Sequence, residues 1–203
     1  MTEIESEIYN AFEKLLEEGQ IVELRALGVP ANDGIRRTLN GFFDDPYMLA
    51  RAAAALSNRG AKGVYFTPNP ITESRKTKNL NTLVVGSKGK SATDSDITRQ
   101  KWLLIDIDPE RPTGVSATQE ERFAASDVVY AVRDYLTEQG FPEPVFAESG
   151  NGFHLMYEIE GVTTKLVRDY WSTSRPSLTH HGLRWTDWSS TLRASGRYTV
   201  LHP

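Results

Sequence analysis

The chain has 203 residues and a mass of 22.7 kDa, and 39% of its residues are hydrophobic. This length suits one sizeable core or two small lobes, while the lack of cysteine excludes disulfides and thiolate metal sites. The net charge of −4 weighs against nucleic acid as a general partner, because clustered Lys and Arg normally supply phosphate binding. The sequence contains no apolar run of membrane-spanning length and no basic leader followed by an apolar segment, so we expect a cytoplasmic protein without a membrane partner.

Charge is unevenly distributed along the chain. Residues 1–58 carry five basic and ten acidic side chains, residues 59–101 carry nine and three, and residues 102–169 carry five and thirteen. The middle segment is therefore a candidate strip for phosphate contacts. The alternative is an ordinary solvated face.

Helix and strand signals alternate in the first part of the chain. Apolar residues at helical spacing predict an amphipathic helix over residues 3–18, ended by Gly19. The run IVELRAL predicts a short strand, and Asp45 followed by Pro46 predicts the start of an Ala-rich helix that stops before Gly60. GVYFTPNP then predicts a strand that is broken by its prolines.

The segment from Thr72 to Arg99 looks different. It is rich in Lys, Asn, Ser, Thr and Gly around a short apolar LVV. This composition predicts a long, mobile loop, and loops of that kind often carry function.

The order strand, helix, strand, strand is predicted over residues 102–160. Thr118 and Glu121 form a capping box at the start of a helix that ends at Gly140. One face of this helix is marked by Ala124, Val128, Ala131 and Tyr135. PVFAES and FHLMYEIE follow as two strands joined through GNG. The pattern predicts an α+β fold, with helices packed on a mixed, largely antiparallel sheet.

Two aspartates interrupt the apolar run WLLIDIDPERP. Side chains two apart on a strand point to the same face, with Cα atoms roughly 6.5 Å apart. Asp106 and Asp108 are therefore expected to converge, while Ile105 and Ile107 bury the other face. Such a pair can hold one or two divalent cations, and Mg²⁺ or Mn²⁺ suits oxygen ligands. The alternative is that Asp108 begins a turn and Asp106 pairs with an arginine such as Arg111.

A second constellation lies in AESGNGFHL. His154 follows a glycine turn and is placed to reach a ligand on the sheet face. Ser149 and the backbone amides of Gly150, Asn151 and Gly152 can grip phosphate oxygens. The alternative is a simple hairpin whose histidine makes a core hydrogen bond.

Together these stretches resemble the primase-polymerase domain of phage and plasmid replication proteins, in the archaeo-eukaryotic primase superfamily. WLLIDIDPERPTGVSAT is followed at a helix's distance by GFPEPVFAESGNGFHLMY, and the likeness extends through VELRAL, GFFDD and GVYFTPNP over nearly all of residues 20–160. The resemblance implies an N-terminal α/β lobe (1–98), an RNA-recognition-motif-like catalytic lobe (99–169) and a divergent or frameshifted tail (170–203). It also implies a DNA primase and polymerase that transfers nucleotides on single-stranded DNA.

Site roles follow from the same resemblance. Asp106 and Asp108 would be the ligands of Mg²⁺ or Mn²⁺, and His154 would be catalytic beside them. Ser149, His154 and the glycine turn would contact the incoming nucleoside triphosphate, and the nucleotide or template groove would be lined by Arg25, Tyr65 and Asn69. The plainer interpretations of these last three are a surface arginine, a core tyrosine and a turn asparagine. A replicative helicase domain or protein is an expected partner, beside the DNA template.

Residues 170–203 depart from the family pattern. They contain three of the four Trp and three of the four His, but no Lys, no Glu and one Asp, and they show no clear helix or strand period. The family carries a third carboxylate in a Val-Asp pair before Asn-Pro-Ala-Arg and Tyr-Gly-Thr. The coding DNA of this tail can also be read in a shifted frame that starts at the third base of each codon. The codons that are possible for the tail then permit the peptide Val-Asp-Arg-Leu-Val-Phe-Asn-Pro-Ala-Arg-Val-Trp-Lys-Val-Tyr-Gly-Thr. We therefore expect a frameshift near Asp169 or Tyr170 that leaves this chain weakly active. The alternative is a divergent tail in which Asp187 is the third ligand.

Two other functions fit parts of the sequence. LLIDIDPERPTGV also resembles the nucleophile strand of haloacid-dehalogenase phosphatases, which requires a parallel doubly wound sheet and gives His154 no role. The other is a non-catalytic module for single-stranded DNA, in which the basic middle segment grips the backbone and aromatic side chains stack on bases. That function leaves the paired carboxylates unexplained.

Overall fold

The chain forms two compact units in a computed structural model. The structure describes residues 1–76, 79–86, 91–109, 115–148 and 151–159, and the backbone of 192–195 and 199–201. One unit comprises Met1–Arg99 with Arg197–Pro203, and the other comprises Gln100–Gly196. Helices and antiparallel sheets occur in both parts of the sequence, which confirms the predicted α+β class. Within the described residues, no helix has the length and apolar character needed to cross a membrane.

The first unit is built on an antiparallel sheet. Its strands are β1 (Val22–Pro30), β2 (Arg36–Phe43), β3 (Gly63–Phe66), β4 (Val84–Val85) and β9 (Thr199–Leu201), in the order β4-β2-β1-β3-β9. Helices α1 (Glu3–Leu15) and α2 (Pro46–Asn58) belong to the same unit. The aromatic ring of Phe12 on α1 meets that of Phe66 on β3 edge to face, with centroids 5.1 Å apart. Burial of this apolar surface stabilises the unit.

Both predicted helices of this unit are confirmed, with small differences at their ends. α1 stops at Leu15 because Leu16 adopts an extended backbone, so the last predicted turn does not form. α2 begins as predicted, with the Asp45 side chain accepting hydrogen bonds from the amides of Tyr47 and Met48 at 2.8 and 3.1 Å.

The segment from Thr72 to Arg99 is not the featureless loop that its composition predicts. In its described parts it contains two short 3₁₀ helices, Glu73–Arg75 and Asp94–Asp96, together with β4, which pairs with β2. The guanidinium of Arg75 holds the carboxylate of Asp96 through two hydrogen bonds of 2.9 and 2.6 Å. Ala92 is buried against Ile21, Phe42 and Ile71. Few apolar residues placed at the right positions are enough to pack this segment.

The second unit is a four-stranded antiparallel sheet with a helix on one face. Its strands are β5 (Trp102–Ile107), β6 (Val145–Glu148), β7 (Phe153–Glu158) and β8 (Leu192–Ser195), in the order β6-β7-β5-β8. Helix α3 (Gln119–Glu138) starts at the predicted capping box, in which the Thr118 hydroxyl accepts from the Glu121 amide at 3.2 Å. The predicted face of α3 is confirmed only in part. Tyr135 is buried in the core and Val128 packs against it, but Ala124 is exposed. The other residues that face the core are Ala125, Val129, Val132 and Leu136.

Candidate functional site

Asp106 lies in the interior of the second sheet, because β5 runs between β7 and β8. Its register partner on β7 is His154, and the imidazole Nε2 lies 3.2 Å from the Asp106 carboxylate oxygen Oδ1. The Asp106 side chain is 30% exposed, whereas that of His154 is 3% exposed. The His154 ring therefore lies next to the Asp106 carboxylate and presents almost no surface to solvent.

Alternation along β5 explains why one carboxylate stands in an apolar run. Ile105 and Ile107 are fully buried in the core beneath α3, as the sequence predicts. Asp106 consequently points to the other face of the sheet. The Nε2 atom of His154 lies next to it there, and Arg111, the other expected partner, lies outside the described residues.

The His154 ring also carries a buried nitrogen that remains open. Within the described part of the chain, Nδ1 has no hydrogen-bond partner. The other ring nitrogen, Nε2, is the one that lies 3.2 Å from Oδ1 of Asp106.

The turn between β6 and β7 approaches the end of β5 very closely. A Cβ atom built on Gly152 would lie 2.2 Å from the carbonyl oxygen of Ile107 and 2.6 Å from Oδ1 of Asp108. No real side chain tolerates such distances, so this position requires glycine. Asp108 follows directly after the last residue of β5 and is half-buried. The structure thus brings the glycine turn against the second aspartate.

The neighbouring turn residues are only partly described. The Oδ1 atom of Asn151 accepts a hydrogen bond from the Ala117 amide at 3.1 Å, which ties the turn to the segment before α3. That bond gives Asn151 a structural role beside the predicted nucleotide contact. Ser149 and Gly150 lie outside the described residues, as does Asp187.

The three upstream site residues belong to the first unit. Arg25 on β1 and Tyr65 on β3 are register partners, and both are half-buried. Asn69 is fully buried, which a turn asparagine need not be. Asp106, Asp108 and His154 belong to the second unit.

One charged residue was missed by the sequence reasoning. Glu23 stands two residues before Arg25 and is fully buried. Its carboxylate accepts hydrogen bonds from Nδ2 of Asn40 at 3.0 Å and from the Ala92 amide at 2.7 Å. The signal was available, because a glutamate interrupts the apolar run IVELRAL just as an aspartate interrupts WLLIDID. The two bonds anchor the segment around Ala92 to the first sheet.

The basic residues of the middle segment are largely engaged with carboxylates where the structure describes them. Arg75 pairs with Asp96, and Lys76 pairs with Glu73 at 2.8 Å. Arg99 pairs with Glu17. These pairs reduce the positive charge that the segment can offer to phosphate.

The donor chemistry of the site suits a divalent cation that binds together with phosphate. In the described residues, no group of three or more His, Asp or Glu side chains gathers as a metal cage. Asp106 and Asp108 offer carboxylate oxygens, and Mg²⁺ is commonly bound through one or two carboxylates with water and substrate phosphates. The pair therefore fits that mode of binding.

Comparisons with known proteins return no relative: no protein-family model, curated protein or solved structure matches the chain. The antiparallel neighbours of β5 do not fit the phosphatase alternative, since that fold requires parallel strands beside the aspartate. Any function must therefore be argued from the residues of the site.

Proposed function

We propose that this chain derives from a DNA primase and polymerase, which joins nucleotides on a single-stranded DNA template in a reaction that depends on Mg²⁺ or Mn²⁺. The observation that carries the proposal is the carboxylate of Asp106 at the centre of an antiparallel sheet, with Nε2 of His154 at 3.2 Å from its Oδ1 atom. Asp108 and the Gly152 turn flank it at the end of the same strand. The sequence resemblance to primase-polymerase domains points to the same residues.

The proposed nucleotide transfer requires little covalent participation by the protein. Phosphoryl transfer depends mainly on positioning and on neutralising charge. A cation held by Asp106 and Asp108 would supply that neutralisation at the triphosphate. The His154 ring lies next to the Asp106 carboxylate, and Gly152 lets the turn between β6 and β7 come close to the same end of β5.

A non-catalytic module for single-stranded DNA is less well supported. Such a module needs a basic groove, yet Arg75, Lys76 and Arg99 are each engaged with a carboxylate. It also gives no role to the carboxylate of Asp106 in the middle of a sheet, where the desolvation of a charge is costly.

The test compares this chain with a repaired one, because the frameshift hypothesis expects weak activity from residues 170–203. In the repaired chain, the peptide permitted by the alternate codon register replaces the tail. Dinucleotide synthesis is measured on single-stranded DNA with nucleoside triphosphates and Mn²⁺. We expect robust synthesis from the repaired chain, loss of at least 100-fold in its Asp106→Asn variant, and weak synthesis from the chain as it stands.

Asp33→Asn is the matched control, because Asp33 is an exposed carboxylate of the first unit. It should leave synthesis unchanged. A repaired chain that is folded by circular dichroism but makes no dinucleotide overturns the proposal. So does synthesis that survives both EDTA and Asp106→Asn.

A further inference from the structure

Three aromatic side chains are exposed together on one side of the second unit. Phe123 and Tyr130 of α3 are 65% and 45% exposed, and Phe146 of β6 is 40% exposed. The ring of Phe146 stacks on that of Tyr130, with centroids 6.0 Å apart and planes inclined by 17°. Grouped exposed aromatics of this kind mark interaction surfaces more often than single exposed residues do.

The aromatic residues of α3 alternate with acidic ones. Phe123, Asp127, Tyr130, Asp134 and Glu138 follow one another at spacings of three and four, and all are exposed. They therefore form a single stripe on the outward side of the helix. We call this stripe, together with strand β6, the α3–β6 surface.

The surface has a strong excess of negative charge. Residues 115–148 carry seven acidic and two basic side chains. Both basic residues are engaged: Arg122 pairs with Glu148 at 2.7 Å, and Arg133 pairs with Asp134 at 2.7 Å. A nucleic-acid backbone would meet repulsion here, whereas a positively charged segment would be attracted.

Strand β6 lies at the edge of its sheet. Within the described residues it pairs with β7 alone. An edge strand presents unpaired backbone groups that can accept a further strand from another molecule. The register partner of Phe146 is Leu155, which packs in the core beneath α3, so Phe146 lies on the α3 side of the edge.

We propose that the α3–β6 surface binds an extended segment of a partner protein in which basic and apolar residues alternate. The main chain of the segment adds to the edge of β6. Its apolar side chains cover the stacked rings of Phe146 and Tyr130, and its basic side chains pair with carboxylates such as Asp127 and Glu138. Charge complementarity favours this partner over single-stranded DNA. The bases of DNA could stack on the aromatic rings, but its negative backbone would be repelled by the carboxylates.

The test uses a fluorescein-labelled peptide of eight residues, alternating Lys and Val, with blocked ends. Binding is followed by fluorescence polarisation at low ionic strength, and far-UV circular dichroism checks that each variant is folded. We expect Phe146→Ser to weaken binding at least tenfold and Asp127→Lys to weaken it several-fold. Phe123→Ser, which removes a side chain from the surface without touching the core, should also weaken it.

Tyr47→Ser is the matched control, since Tyr47 is 41% exposed, has the Arg51 guanidinium over its ring and belongs to the first unit. It should bind as the unchanged chain does. A peptide of the same composition with its lysines and valines in separate blocks should bind weakly, and so should the alternating peptide N-methylated at every second residue.

Three results overturn the proposal. The first is unchanged peptide binding by the folded Phe146→Ser and Phe123→Ser variants. The second is a dodecamer of deoxythymidylate that displaces the peptide from this surface. The third is sedimentation showing that the chain associates with itself and that Phe146→Ser abolishes this association, which would make a second copy the occupant of β6.

Discussion

At the scale of single residues, the structure contains two carboxylates that interrupt apolar strands, and the two differ in their surroundings. Asp106 remains 30% exposed and is held by the His154 ring. Glu23 is fully buried and is held by a side-chain amide and a backbone amide. The sequence identifies both carboxylates as unusual. It does not show which of them is exposed to solvent, because the residues that contact each carboxylate come from distant parts of the chain.

Two substitutions of His154 should separate its polar contact with Asp106 from the packing of its ring. His154→Ala removes the nitrogen next to the Asp106 carboxylate and should lower the free energy of unfolding by about 1–3 kcal/mol. His154→Gln places an amide nitrogen at a similar reach and should recover most of that loss. Urea unfolding at neutral pH measures both values. Equal losses in the two variants would contradict a role for the polar contact.

Gly152 offers a purely steric test. In Gly152→Ala the new methyl group meets the Ile107 carbonyl at 2.2 Å, so the turn must shift and the free energy of unfolding should fall by about 1–3 kcal/mol. Gly19→Ala is the comparison, because Gly19 has free space around it and a φ of +69°. That variant should cost about 1 kcal/mol from backbone strain alone. A Gly152→Ala chain as stable as the unchanged one would show that the turn is not held against β5.

At the scale of elements, the sequence predicts well those features that depend on neighbouring residues. The cap of α2 at Asp45, the capping box of α3 and the strands on either side of the GNG turn are confirmed. Strand β2 was missed because only its second half is buried, so its apolar pattern is short. The buried face of α3 is predicted only in part, because alanines and valines occur on two sides of the helix. Tertiary packing determines which of these sides is buried.

The same limit applies to the candidate site. Alternation along β5 was enough to predict that Asp106 faces away from Ile105 and Ile107. Neither the contact between Asp106 and His154 nor the close approach of Gly152 to Asp108 could be predicted, because both depend on the register between β5 and β7. The alternation of each strand limits the possible registers, but which residues of two strands far apart in the sequence stand opposite each other depends on tertiary packing.

The contribution of the segment between β3 and β5 to the free energy of unfolding should depend on pH. Hydrogen bonding to Arg75 holds the pKa of the Asp96 carboxyl well below its usual range, although partial burial opposes this. Asp96 is thus ionised in the folded chain at pH values where the unfolded chain is protonated. Its contribution is complete above about pH 4 and decreases as the pH falls. Asp96→Asn should therefore lower the free energy of unfolding at pH 7 by about 1–3 kcal/mol, and by less at pH 3.

Urea unfolding at pH 7, 5 and 3 tests this dependence. Asp33→Asn is the control, because Arg37 lowers the pKa of Asp33 to about 2 at a fully exposed position, where solvent screens the pair. It should have little effect at any of these pH values. An Asp96→Asn effect that is the same at pH 7 and pH 3 would contradict the assignment.

At the scale of the whole molecule, the tail contributes to both units. Residues 170–203 showed no clear strand period, yet β8 pairs with β5 and β9 pairs with β3. The lack of a clear period in the sequence therefore does not exclude strands at these positions. Strands of four and three residues need little apolar pattern, because the neighbouring strand supplies the hydrogen-bonding template.

Removal of residues 192–203 should therefore affect two sheets at once. β5 and β3 would each lose a neighbouring strand, and their amides should exchange with solvent at least tenfold faster. Hydrogen exchange followed by mass spectrometry measures this in both units. Removal of residues 202–203 alone, which lie beyond β9, is the control. Protection that is unchanged in either sheet would mean that the tail strand of that unit adds nothing to its stability.

The hydrogen bonds of Glu23 also bear on how the chain folds during synthesis. The amide of Ala92 that reaches its carboxylate lies 69 residues further along the chain. While a ribosome is still synthesising the chain between β3 and Ala92, strands β1, β2 and β3 are already complete. The Ala92 amide is not yet available to the Glu23 carboxylate at that stage. Early closure of this sheet is thereby disfavoured, since burying a charge without its donors is costly. The first unit should acquire its final sheet late, after the segment around Ala92 has left the ribosome.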